Sequence, residues 1–190
     1  AQAKDSNNNN VDTASPVTVT WSETNLVDTG TFSAATSDTD GNGLATVTFT
    51  TNTHRDKDTE VVATSGSGLG AKTGQSATIS TTYGSIDHWY VTPVSAVTKV
   101  AGQTVAVTAQ AKDANNNNVD TATPVTVTWS ETNLVDTGTF SATTSDTDTN
   151  GLATVTFTTN IHRDKTTEVV ATSGSGLSAK TGQSATITTT

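Results

Sequence analysis

Apolar and polar residues alternate with a period of two along much of this chain. The pattern is plainest in Thr104-Val105-Ala106-Val107-Thr108-Ala109, in Val125-Thr126-Val127-Thr128-Trp129 and in Ala153-Thr154-Val155-Thr156-Phe157. Successive side chains of a strand point to opposite faces, so each run predicts a half-buried strand with Val, Trp and Phe inward and Thr outward. Shorter runs at residues 88–92, 139–143, 167–172 and 184–189, bounded by Gly, Asn, Asp or Pro, bring the count to about seven strands. No window of about 11 residues carries an apolar helical face. The expected class is all-β, and the strand count and spacing fit a sandwich.

The pattern occurs twice. AQAKDSNNNNVDTASPVTVTWSETNLVDTGTF from Ala1 returns as AQAKDANNNNVDTATPVTVTWSETNLVDTGTF from Ala109, a period of 108 residues. Residues 1–82 differ from 109–190 at eight positions, among them Ser6 against Ala114, Ala35 against Thr143 and Asp58 against Thr166. A period this long exceeds solenoid repeats and matches a whole small domain. Residues 83–190 therefore read as a complete domain. Residues 1–82 read as an incomplete one, lacking the opening strand and half of the second, because the segment 83–108 has no counterpart ahead of Ala1. Either the chain is a piece of a longer array, or a neighbouring molecule supplies the missing strand by β-augmentation and the protein assembles into a filament or lattice. The short junction Thr82-Tyr83-Gly84-Ser85 predicts neighbouring domains set end to end with little swing.

Trp21 and Trp129, with Phe49 and Phe157, lie in phase with the inward positions and are expected in the cores; stacking on a ligand is the competing role for the tryptophans. Trp89 and Tyr90 are adjacent and must point to opposite faces, which places one of them near the junction.

Composition narrows the function. Apolar residues make up only 32% of the chain while Thr fills 46 of 190 positions, a β-branched polar residue suited to the solvent face of strands. Disordered chains lack the Val, Ile and Trp that recur here in phase. A net charge of −9 repels phosphate backbones and anionic lipid, arguing against nucleic-acid binding and electrostatic membrane association. With no cysteine, strand pairing and packing must hold the fold. No apolar run reaches the roughly 18 residues of a membrane span and no signal-peptide pattern is present, so any leader or anchor is expected outside this stretch.

QAKDANNNNV, VTVTWSETN, GTFSATTSDTDTNGLATVTFTT and EVVATSG together resemble the bacterial immunoglobulin-like repeats of the invasin and intimin type across the whole second copy. Thr147-Asp148-Thr149-Asn150-Gly151-Leu152-Ala153-Thr154-Val155 is similar to that family's TDxNGxAxVxxT stretch, and residues 39–47 repeat it. The resemblance implies tandem immunoglobulin-like β-sandwiches displayed at the cell surface or secreted, with spacing or adhesive roles; the residues themselves give no reason to expect an enzyme. Expected partners are neighbouring copies of the domain, up to a homopolymer, and a host receptor or glycan. The four-Asn runs and the loop at residues 160–165 depart from the family pattern.

Several residues invite a chemical reading. Asp38, Asp40 and Asn42, with Asp146, Asp148 and Asn150, place oxygen donors at alternate positions as a weak calcium site would. An EF-hand needs Glu at the twelfth position, where Phe49 stands. The competing reading is a tight turn between strands in which Asn42-Gly43 and Asn150-Gly151 supply the positive φ. The run from Gly66 to Thr73 nearly spells a phosphate-binding loop, but a strand at residues 75–80 follows where a helix is needed, so a loop is expected. His54 and Arg55, with His162 and Arg163, stand beside Asp and Lys, which suits a solvated loop of local ion pairs or a contact surface. The only glutamates, Glu23, Glu60, Glu131 and Glu168, have no evident cleft for paired-carboxylate chemistry. Residues 7–10 and 115–118 are Asn-rich turns or amides offered to carbohydrate. No cofactor is implied; calcium is the one candidate.

Overall fold

The computed structural model describes residues 1–25, 27–66, 71–133, 135–175 and 179–190. The chain divides into two compact units, Ala1–Thr82 and Tyr83–Thr190. Every regular element among the described residues is a β-strand.

The first unit contains β1 (Thr18–Glu23), β2 (Thr31–Phe32), β3 (Thr36–Asp38), β4 (Phe49–Thr50), β5 (Lys57–Thr59), β6 (Val61–Ser65), β7 (Lys72–Gln75) and β8 (Ile79–Thr81). Its main sheet runs β3-β1-β6-β7, beside the two-stranded ladders β2-β4 and β5-β8. The second unit contains β9 (His88–Val91), β10 (Val97–Lys99), β11 (Thr104–Lys112), β12 (Thr126–Glu131), β13 (Thr139–Phe140), β14 (Thr144–Asp146), β15 (Leu152–Thr158), β16 (Lys165–Thr167), β17 (Val169–Ser173), β18 (Lys180–Gln183) and β19 (Ile187–Thr189). Its two principal sheets run β13-β15-β11-β9 and β14-β12-β17-β18, and a third, β10-β19-β16, contains the parallel pair β10 and β19.

The period-two pattern becomes burial. Along β11, Val105, Val107, Ala109 and Ala111 are buried; β12 buries Val127 and Trp129; β15 buries Ala153, Val155 and Phe157. These meet Val169 and Ala171 of β17 in one core. Each fully buried Val or Phe stabilises the unit by roughly 1.5–3 kcal/mol. The threonines between them face outward, as the alternation predicts.

The first unit repeats the design over a smaller core of Val19, Trp21 and Ala45, with Val47, Val61 and Ala63 partly buried. The difference traces to β11. In the second unit β11 pairs with β15 over seven residues, from Thr104 opposite Thr158 to Gln110 opposite Leu152. In the first unit only residues 1–4 stand in that place, and the segment equivalent to β15 is reduced to β4 and a bridge between Gln2 and Leu44. Phe49 is accordingly half-buried, packed on Phe32 at 4.8 Å between ring centroids, whereas Phe157 is inaccessible.

Three expected strands are redrawn. The run at 139–143 shortens to β13 at its first two residues, which pairs with β15, and the separate strand β14 that follows it pairs with β12 in the other sheet. The run at 167–172 divides at Glu168 into β16 and β17, again in different sheets. Residues 75–80 supply the end of β7 and the start of β8 instead of one strand.

Candidate functional site

The proposed cation donors sit on a turn that uses its own oxygens. Asp40 Oδ1 accepts the N–H groups of Asn42 and Leu44, each at 2.9 Å, and Asp148 Oδ1 does the same for Asn150 and Leu152. The N–H of Leu44, followed by that of Asn42, outweighs desolvation and holds the Asp40 carboxyl below its ordinary value. Gly43 and Gly151 carry φ of +74°, and a Cβ on Gly151 would meet the Val119 carbonyl oxygen at 1.9 Å. Asp38 and Asp146 lie at strand ends, where their Oδ1 atoms accept the hydroxyls of Thr18 and Thr126 at 2.7 Å. Among the described residues no three His, Cys, Asp or Glu side chains gather around a common point.

The Asn-rich runs are turns of the same kind. Asp113 Oδ1 accepts the N–H groups of Asn115 and Asn117, and Asn116 has φ of 65°. Asp113 is only 2% exposed, and its Oδ2 also accepts the Gly84 N–H at 2.9 Å. Burial pushes its pKa up, but the donors from Gly84, Asn117 and Asn115 prevail and bring it to about 2.

The histidine loops are ion-paired to a residue far off in sequence. His162 Nδ1 lies 3.4 Å and Lys165 Nζ 2.7 Å from the carboxylate of Asp136; His54 and Lys57 meet Asp28 in the same way at 3.4 and 3.0 Å. Arg163 pairs with its neighbour Asp164, both largely exposed, while Arg55 Nε meets Asp56 at 2.6 Å. Beside His162, Ile161 is 81% exposed. The glutamates brace strands: Glu131 accepts the Thr167 hydroxyl at 3.0 Å, and burial raises its pKa. Much of the glycine-rich run from Gly66 to Thr73 lies outside the described residues, as does Ser178; Lys72 and Thr73 open β7.

The tryptophans are core residues. Trp129 Nε1 donates to Ser145 at 2.9 Å, and Trp21 Nε1 to Ser37 at the same distance. Trp89, 2% exposed, is buried in the second unit with Nε1 donating to Ser173 Oγ at 3.1 Å; Tyr90 points outward with Lys112 Nζ 5.6 Å from its ring centroid. β9 carries Trp89 into place by pairing antiparallel with β11, Trp89 opposite Ala111 and Val91 opposite Ala109.

The corresponding region of the first unit is a cavity of about 670 Å³, a feature that pattern reading does not disclose. Ala1, Ala3, Val19, Ala63, Ser65 and Gly74 are among the residues lining it. The second unit holds the matching residues in contact with β9: a Cβ on Gly182 would lie 1.9 Å from the Trp89 carbonyl oxygen, whereas a Cβ on Gly74 would meet nothing within 4 Å.

No protein-family model and no curated protein sequence matches the chain. Among solved structures, the D00-D0 domain of intimin superposes with a TM-score of 0.54 at 17% identity, covering 90% of this chain and 84% of that one. The fold is immunoglobulin-like. It is thus the fold that the bacterial repeats of the invasin and intimin type imply. The D0-D1 domain of intimin (22% identity, 93% and 83% coverage, TM-score 0.39) and domains 4 and 5 of the S-layer protein SbsC (15%, 99% and 78%, 0.39) are also similar.

Proposed function

We propose that this chain is a structural repeat of a secreted or cell-surface protein, and not an enzyme, its immunoglobulin-like units spacing a functional tip from the surface that bears them. The observation that carries this reading is where the two copies differ. Among the described residues of the second unit the differing positions Ala114, Thr123, Thr143, Thr149, Ile161 and Thr166 are exposed, and Thr188 is half-buried. What is repeated is the packed scaffold, and repetition of a scaffold adds length. The intimin and S-layer likenesses agree with display at a surface.

The test is a set of surface-displayed arrays of increasing repeat number, each ending in an epitope tag. Access of a bulky antibody to the tag should rise with the number of 108-residue periods. Equal access at every length would overturn the spacer reading.

A second reading, a receptor- or glycan-binding module, draws on the exposed Ile161, His162 and Arg163 at one loop. It expects saturable binding to a receptor or glycan array that disappears when residues 160–165 are replaced. No binding would remove it.

A further inference from the structure

We propose that the loops at residues 133–138 and 160–165 of the second unit form one docking surface for a protein segment that carries a carboxylate beside an apolar side chain. This rests on the receptor-binding reading of the 160–165 loop and names the chemistry of the partner. Val135 and Ile161, each 81% exposed, are the most exposed large apolar residues among those described. One bond joins their loops: Asn160 Nδ2 donates to the Asp136 carbonyl at 2.7 Å, so each apolar residue is the chain neighbour of one end of that bond. Single apolar residues scattered over a surface are ordinary, but two on loops tied together mark an interaction site.

The surface is built before any partner arrives. Asn160 holds three segments, because its backbone carbonyl accepts the Gly102 N–H at 3.0 Å and its Oδ1 accepts the His162 N–H at 2.8 Å. From the other side Asp136 takes both Lys165 and His162 as ion partners. Loops fixed in this way lose little conformational entropy on binding.

The two copies show that the scaffold does not require the exposed groups. The first has the same frame: Asn52 Oδ1 accepts the His54 N–H at 2.8 Å, and Asp28 meets His54 and Lys57. Yet Thr53 stands where the second copy has Ile161, and of the eight differing positions this one alone exchanges a polar residue for a large apolar one. The isoleucine buries little in its own unit, so folding gives no account of it. The arginines differ too. Arg55 is 25% exposed with Nε 2.6 Å from Asp56, whereas Arg163 is 82% exposed, and its pair with Asp164, at 3.5 Å and itself 79% exposed, is weak in water. Val27, the counterpart of Val135, is 78% exposed although the chain continues past its unit, so this exposure does not come from an end of the sequence.

A planar guanidinium beside two aliphatic side chains suits a carboxylate, which it can hold by two parallel N–H bonds, flanked by a residue such as Leu or Ile. Arginine is among the residue types that most often anchor a protein interface. A sugar is less well served, because neither loop holds a Phe, Tyr or Trp on which its ring could stack.

The experiment selects a phage-displayed library of random dodecapeptides against the full chain and titrates the dye-labelled consensus peptide by fluorescence anisotropy. The consensus should place Asp or Glu beside an apolar residue and bind saturably, one per chain. Ile161→Thr, which matches the first copy, and Arg163→Ala should each weaken it about tenfold or more, with unchanged circular dichroism. Selection that enriches no sequence, a consensus without a carboxylate, or binding indifferent to either substitution would overturn the proposal. So would glycan-array binding that Ile161→Thr removes, or a concentration-dependent dimer that it dissolves, because the occupant would then be a sugar or a second copy. The receptor-binding reading fails separately. Receptor binding that needs residues 160–165 but ignores Ile161→Thr and Arg163→Ala would keep that reading and overturn the docking surface, whereas no binding to peptide, receptor or glycan would remove both.

Discussion

Gly182→Ala adds one methyl group at a place where the structure has no room for it. The new Cβ would lie 1.9 Å from the Trp89 carbonyl oxygen, 2.6 Å from its carbonyl carbon and 2.7 Å from its Cβ, all inside the 3.0 Å limit of real contacts. The nearest atoms are backbone, so no change of rotamer relieves the clash. If β9 and β18 move apart locally, the cost is that of overpacking a core, about 1–3 kcal/mol. If β9 detaches, the unit loses the burial of Trp89 and its bond to Ser173, which sets an upper figure of about 5 kcal/mol. An intermediate loss of about 3 kcal/mol is expected. Gly74→Ala is the same change in the same strand of the other copy, over open space, and should be neutral or stabilising by up to about 1 kcal/mol, since alanine restricts the unfolded chain. Hydrogen exchange of the full chain under graded urea, read on peptides from residues 83–108, which occur once in the sequence, measures the stability around β9; the overall urea transition reports Gly74→Ala. If the two substitutions agree within about 0.5 kcal/mol, the close approach of β9 to Gly182 is wrong.

Asp113 titrates at about 2 against an ordinary 3.8, so its contribution to stability is complete above about pH 4 and is lost as pH falls toward 2. The stability difference between wild type and Asp113→Asn should therefore shrink over that window; a constant difference would refute the assignment. Lys165→Met should raise the Asp136 pKa, because the Lys165 hydrogen bond is the main cause of its depression, and carboxyl-carbon NMR titration reads the change directly. Asp148→Ala removes the acceptor of two turn N–H groups and should cost about 1–3 kcal/mol. On the turn reading that cost is the same with and without millimolar calcium; calcium stabilisation of the wild type alone would establish the cation site instead.

What could be read in the sequence was what repeats locally. Alternation placed Val105, Val107, Trp129 and Phe157 inward because period two leaves no other choice once one face is buried. What could not be read depends on partners distant along the chain. Nothing in residues 139–146 says that Phe140 pairs with β15 while Ser145 pairs with β12, and so the strand expected at 139–143 stops at Phe140 and another begins at Thr144. β10 is a strand because β19, nearly ninety residues later, lies beside it, and its own composition carries only a faint pattern. Of the pair Trp89 and Tyr90, adjacency shows that one faces in; the register against β11 decides which. The ion-paired loops were visible as clusters of charge, but their anchors, Asp28 and Asp136, each lie 26 residues before the loop's histidine and belong to no motif.

The parallel pairing of β10 with β19 bears on how the second unit would carry load. Val97, Thr98 and Lys99 run in the same direction as Ile187, Thr188 and Thr189, and bonds from Ala101 N–H to Thr190 O and from Thr190 N–H to Lys99 O continue the ladder to the last residue. Two strands that run the same way, one early and one late in the unit, are drawn past each other when its ends are pulled. The bonds between them are then strained together in shear instead of opening one after another like a zip. Pulled from its termini, the unit should resist until this clamp fails as a whole, and Val97→Pro, which removes a donor to Thr186, should lower the force at which it does.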